Sequence, residues 1–166
     1  MSTAVANPGG TNTTNPPIPQ VRISRFFRAP RERVFAAWTD ADEMKQWMGP
    51  VNFKCLESES DLRVGGRYRV VMRGTPPPRN SETPQEITST VTGEYLEVRP
   101  PELVRYSWNP TWSPGEQSIV TLRLREENGG TRLELLHENF ASIESANGHT
   151  NGWNGVLDKF AAYVER

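Results

Sequence analysis

One apolar stripe near the C-terminal end limits the folds open to this chain. Trp153, Val156, Leu157, Phe160, Ala161 and Val164 recur at i, i+3, i+4, i+7, i+8 and i+11. That spacing places all six on one face of a helix running to the end of the sequence. Such a face is stable only when buried against another layer. The segments before it alternate apolar and polar residues at period two, the pattern of half-buried strands. Residues 118–126 and 131–138 flank Asn128-Gly129-Gly130, a hairpin signal, because those residue types accept the positive φ of a tight turn. Strands joined by hairpins run antiparallel, which argues against a parallel nucleotide-binding α/β sheet.

The remaining elements follow from local signals. Residues 20–28 read as a strand with Val21, Ile23 and Phe27 at period two. Pro30 suits the first position of a short helix that carries Val34, Phe35 and Trp38. Asp40 and Glu43 form a capping box for a second helix, whose stripe is Met44, Trp47 and Met48 and which Gly49-Pro50 ends. Candidate strands follow at 53–57, around Tyr68, Val70 and Met72 after the Gly65-Gly66 turn, at 88–98 and at 103–108. The proline-rich residues 75–86 form a loop, and Pro100-Pro101 separates two strands. The expected fold is α+β: a curved antiparallel sheet of six to seven strands wrapped around a long C-terminal helix, with two short helices after the first strand. A sheet of this size curls under its own twist. A cavity between its concave face and the helix is then the default binding site.

Of the first 19 residues, 14 are Asn, Thr, Ser, Gly or Pro. Such a segment buries too little apolar surface to offset the entropy of ordering it. The expected organisation is a disordered polar tail over residues 1–19 and a single folded domain over residues 20–166. The 19 basic and 20 acidic residues leave a net charge of −1. This excludes the basic excess expected of a nucleic-acid partner and the polybasic surface of a membrane binder. No apolar run reaches the length needed to insert into a bilayer. Cys55 is the only cysteine, so an intrachain disulfide is excluded and a reducing cytoplasm fits.

Several short stretches, taken in order, resemble one family. Phe27-Arg28-Ala29-Pro30 with Val34-Phe35-Ala36-Ala37-Trp38-Thr39-Asp40 is similar to the opening of the activator of heat-shock-protein-90 ATPase homologue family. Trp47-Met48-Gly49-Pro50 and Asp61-Leu62-Arg63-Val64-Gly65-Gly66-Arg67-Tyr68 resemble its next two signatures. Gly93-Glu94-Tyr95-Leu96-Glu97-Val98 with Pro100-Pro101-Glu102-Leu103-Val104, then Gly130-Thr131-Arg132-Leu133 and Gly152-Trp153, continue the series. The likeness spans residues 21–166. It implies the START-like helix-grip fold of the SRPBCC superfamily, with a deep cavity for hydrophobic ligands. That superfamily includes lipid and hormone carriers, cyclases and ring-hydroxylase subunits. The family's eukaryotic co-chaperones carry a separate chaperone-binding domain where this sequence has its polar segment, so a chaperone is the lesser expectation as partner.

No sequence motif carries catalysis: G-x-S-x-G, the Walker loop, G-x-G-x-x-G and H-E-x-x-H are all missing. Two histidines and one cysteine do not make a zinc site. The expectation is therefore no catalytic residue, no metal and no cofactor. The expected ligand-lining residues are Tyr68, Val70, Met72, Tyr95, Tyr106, Trp108, Leu135 and His137 on the strands, Trp112 in a loop, and His149 and Trp153 at the final helix. Ordinary core packing is the competing reading for most of them. Parity puts His137 on the face of Leu133 and Leu135, as a polar group in the cavity or as a hydrogen-bonded structural histidine. His149 lies one turn before Trp153 and shares its face if the helix starts early enough. Tyr106, Trp108 and Trp153 join an apolar body to a polar tip that can orient a ligand. Trp112, between Pro110 and Pro114, sits where a lid would. Asp61 and Arg63 suit a structural ion pair, and Cys55 a buried, inert thiol.

The reading favours a binding protein for a small hydrophobic or amphipathic molecule. The alternatives are a cyclase- or hydrolase-type enzyme that uses a cavity histidine and an interaction module for a chaperone ATPase. A homodimer would cover an exposed sheet edge.

Overall fold

The computed structural model of the protein describes residues 18–78 and 80–166. The expected tail falls, apart from residues 18 and 19, outside the described residues. The first strand, β1 (Val21–Phe27), leads into two short helices, α1 (Arg31–Thr39) and α2 (Ala41–Trp47). Six strands follow: β2 (Phe53–Ser60), β3 (Arg67–Gly74), β4 (Ile87–Arg99), β5 (Leu103–Pro110), β6 (Ser118–Glu127) and β7 (Gly130–Glu138). The chain ends in α3 (Ile143–Val164), 22 residues long.

The seven strands form one antiparallel sheet in the order β1-β7-β6-β5-β4-β3-β2. Every neighbour but one is consecutive in sequence. The exception is β1, which returns to pair with β7 through Val21↔His137 and Ile23↔Leu135. The sheet curls around α3, as a helix-grip requires. The buried face of α3 carries Ala146, His149, Trp153, Val156, Leu157, Phe160 and Val164. It meets the inward residues of the strands, among them Val70, Val91, Val104, Val120, Leu122, Leu133 and Leu135, in one continuous core.

The local signals act as their chemistry dictates. The Asp40 carboxylate accepts the Glu43 backbone N–H at 3.0 Å and so caps α2. Asn128 and Gly129 take positive φ values, 47° and 79°, in the β6–β7 turn. The Arg63 guanidinium donates to Asp61 at 2.9 Å.

Three boundaries differ from the sequence reading. Pro30 is extended (φ −67°, ψ 153°) and caps α1 rather than opening it. Strand β2 runs on to Ser60 through a bulge between Cys55 and Glu57, which shifts the alternation beyond it. Cys55 is half-buried, not fully buried. Helix α3 begins ten residues before Trp153, capped by Ser142, whose hydroxyl accepts the Ser145 N–H at 3.1 Å. That first stretch holds Asn147, Gly148, Thr150 and Gly152, weak helix formers without an apolar rhythm. Burial of Ala146 and His149 holds it in place. Among the described residues no helix is long and apolar enough to cross a membrane.

Candidate functional site

Two polar clusters lie inside the grip, at opposite sides of Trp108. The first surrounds the histidines. His137 on β7 is wholly buried and His149 on α3 is 8% exposed. An indole nitrogen can only donate, so each histidine tautomer follows from its tryptophan partner. Trp153 donates to His137 Nδ1 at 3.0 Å. The His137 proton is therefore on Nε2, which donates to Ser118 Oγ at 2.8 Å. Ser118 in turn donates to the Trp108 carbonyl at 3.2 Å. Trp108 donates to His149 Nε2 at 3.2 Å, so His149 carries its proton on Nδ1 and gives it to the Ser145 carbonyl at 2.8 Å.

Both ring nitrogens of both histidines are thus engaged within the protein. Burial, with His149 as a secondary like-charge influence, pushes the His137 pKa down to about 2. Burial also lowers that of His149, against the opposing pull of the Ser145 carbonyl and Glu116. Both rings are neutral at pH 7. Phe140 packs 4.2 Å from the His137 ring, centroid to centroid, and Trp112 covers His149 at 5.7 Å. Trp112 is itself 46% exposed. Its loop is tied to the start of α3 by Glu116, which accepts the Ala141 N–H at 2.7 Å and the Ser145 hydroxyl at 2.9 Å.

The second cluster contains three tyrosines. Tyr68, Tyr95 and Tyr106 come from β3, β4 and β5, with ring centroids 5.2–6.1 Å apart. With Trp38 and Thr39 of α1, Met44 of α2, Met48 at its C-terminal end, and Trp108, they surround a void of about 10 Å³. That is the room for about one water molecule. The deep cavity expected between sheet and helix is therefore filled by aromatic and methionine side chains. Tyr68 donates to the Ser107 carbonyl at 2.6 Å, Tyr95 is hydrogen-bonded to Ser60 at 2.7 Å, and Thr39 donates to the Phe35 carbonyl at 2.8 Å. Tyr106 differs. Its oxygen accepts the Trp38 indole N–H at 3.1 Å, and its own proton has no acceptor among the described residues. Burial raises the Tyr106 and Tyr68 pKa values well above that of a free tyrosine, so both hydroxyls keep their protons.

The opposite face of the sheet holds a wider groove of about 460 Å³, lined by Glu59, Arg67, Arg69, Thr92, Glu94, Ser107 and Asn109 with Tyr68 and Gly93. It lies where the β4–β5 ladder lapses between Thr92↔Asn109 and Tyr95↔Tyr106. There the Glu94 N–H turns to the Ser107 hydroxyl at 2.9 Å. A Cβ at Gly93 would run into the Ser107 carbonyl and the Tyr68 ring. The missing side chain is what lets the Tyr68 hydroxyl reach through the sheet, and Tyr68 borders both spaces.

The model of the family described as activator of Hsp90 ATPase homolog 1-like protein matches residues 28–165. The chain belongs to this family. A solved protein from Chromobacterium violaceum is 29% identical, with 89% of this chain and 98% of that one covered and a TM-score of 0.71. The AHSA1 protein from Silicibacter pomeroyi is 27% identical, with coverage of 86% and 95% and a TM-score of 0.69. CalU16 from Micromonospora echinospora is also 27% identical, with coverage of 87% and 75% and a TM-score of 0.64. No curated protein matches the chain.

In this AHSA1-like chain the residues expected to line a cavity divide three ways. Tyr68, Tyr95, Tyr106 and Trp108 border the inner void. His137, His149, Trp153 and Trp112 gather at the histidine cluster. Val70, Met72 and Leu135 are buried in the core and border neither space. The sequence reading missed Trp38, Thr39, Met44 and Met48 as walls of the void. Their signal was present in the stripes of the two short helices, which need the same sheet face that the tyrosines share. Among the described residues no three His, Cys, Asp or Glu side chains stand together as metal ligands.

Proposed function

We propose that this AHSA1-like chain binds a small hydrophobic or amphipathic molecule in the interior of the helix-grip, at the tyrosine cluster. The observation that carries the reading is the void itself, which is bordered by two methionines, two tryptophans, three tyrosines and a threonine and, among the described residues, by no charged side chain. Methionine is unbranched and polarizable, and it repacks at low cost. A wall of Met44 and Met48 therefore yields to an incoming apolar body where a wall of β-branched residues would not. Burial of the ligand's apolar surface, at about 25 cal/mol per Å², supplies the affinity.

An acid–base role for the histidines has less support. A general base needs a nitrogen free to take a proton, and all four ring nitrogens of His137 and His149 are hydrogen-bonded within the protein. Native mass spectrometry of the protein purified gently from its own host tests the binding reading. A bound mass that disappears on denaturation is the expected result. A bare mass, combined with no saturable uptake of an apolar probe, would refute it.

A further inference from the structure

We propose that the Tyr106 hydroxyl is the hydrogen-bond anchor of the inner pocket, which takes an uncharged, largely apolar molecule carrying one acceptor oxygen, of the ketone, quinone or lactone class. This rests on the binding reading above and adds the ligand's chemistry to it. Tyr106 is 5% exposed and borders the void. Trp38 fills one lone pair of its oxygen, so the O–H must point elsewhere, and among the described residues no acceptor takes it. Buried donors are seldom left in that state. The other wall donors are engaged within the protein: Tyr68 with Ser107, Thr39 with Phe35, Trp108 with His149 and Tyr95 with Ser60. Tyr106 is therefore the wall hydroxyl whose only hydrogen bond among the described residues is one that it accepts.

The same wall limits the rest of the ligand. Among the described residues no cation borders the void, so a carboxylate would lose its hydration without gaining a counter-charge. Trp38, Trp108 and the two methionines present flat rings and sulfur to an apolar, preferably planar body. The corner after α2 carries Gly49 at φ 114° and Asn52 at φ 69°. It is held to α3 by the Lys159 ammonium, which donates to the Pro50 and Phe53 carbonyls at 3.3 and 2.9 Å.

The test uses three probes of matched size on the full chain: 2-acetylnaphthalene, 2-ethylnaphthalene and 2-naphthoate, titrated by calorimetry. The ketone is expected to bind about ten-fold tighter than the hydrocarbon, the value of one added hydrogen bond. The carboxylate should bind more weakly than the ketone. Tyr106→Phe should erase the ketone's advantage and leave hydrocarbon binding in place.

A second readout needs no variant. Donation by Tyr106 polarises its oxygen and strengthens the bond it accepts from Trp38. The Trp38 indole N–H resonance should therefore move downfield with the ketone and not with the hydrocarbon. Equal binding of ketone and hydrocarbon, or a margin that survives Tyr106→Phe, would overturn the anchor while leaving the pocket standing. Failure of all three probes to bind would overturn the pocket reading beneath it.

Discussion

At the histidine cluster, donors and acceptors match one to one. Trp153, His137, Ser118 and the Trp108 carbonyl form one relay, and the Trp108 indole, His149 and the Ser145 carbonyl form another. At the tyrosine cluster, a comparable set of aromatic side chains leaves the Tyr106 proton without an acceptor among the described residues. Both regions are buried in the same core. The difference teaches that buried polar groups in one core are held to different degrees. A saturated network fixes the positions of the helix and strands that carry it, and an unsaturated one leaves a donor with bonding capacity to spare.

The comparison is open to attack first at its rigid end. His137→Ala removes a wholly buried ring, strands the Trp153 N–H and takes from the Ser118 oxygen the donor it accepts from. The expected loss is about 4 kcal/mol, the cost of a cavity plus an unpaired donor, measured by urea denaturation. A loss below about 1 kcal/mol would mean that the network does not hold the fold.

The next largest effect is a pH dependence. The folded protein holds His137 neutral down to about pH 2, while the unfolded chain takes up a proton near the ordinary value of 6.5. Below pH 6.5 the unfolded state therefore binds more protons than the native state, and stability falls as pH falls. Between pH 6.5 and 5 the His137 contribution alone is about 2 kcal/mol, and His149 acts in the same direction. The urea midpoint followed from pH 7 to 5 checks this, and a flat profile would contradict it.

The tyrosine end should respond least. Tyr68→Phe deletes one hydroxyl that donates to the Ser107 carbonyl beside the open groove, where solvent can take over the bond. The expected cost is about 1 kcal/mol. A cost equal to that of His137→Ala would erase the distinction between the two regions.

How far the sequence revealed this arrangement depends on the range of the signal. The α3 stripe and the Asn128-Gly129-Gly130 turn are local patterns, and both elements stand where those patterns put them. His137 was placed facing inward by parity along a single strand, and it does face inward. The early start of α3 was hidden because residues 143–152 lack apolar rhythm, and tertiary packing overrides their weak propensity. The lapse in the β4–β5 ladder at Gly93 was hidden for another reason. Glycine in a strand signals a close approach without naming the partner, and Tyr68 lies 25 positions away in sequence. The cavity's near-closure was also out of reach. It depends on how three tyrosines and two methionines pack together, and hydrophobic periodicity carries no information about packed volume.

The tryptophans of this core have an optical consequence. Trp38 lies 4.6 Å from Trp47 and 6.0 Å from Trp153, and Trp153 lies 5.2 Å from Trp108, between ring centroids. Four of the chain's five indoles therefore form an unbroken line from α2 through α1 and α3 to β5. Chromophores that close share their excitation, so the ultraviolet emission and near-ultraviolet dichroism of these four belong to the line as a whole. A quencher that touches Trp38 or Trp108, the two members bordering the void, dims all four, and the fold carries its own label-free reporter of what enters it.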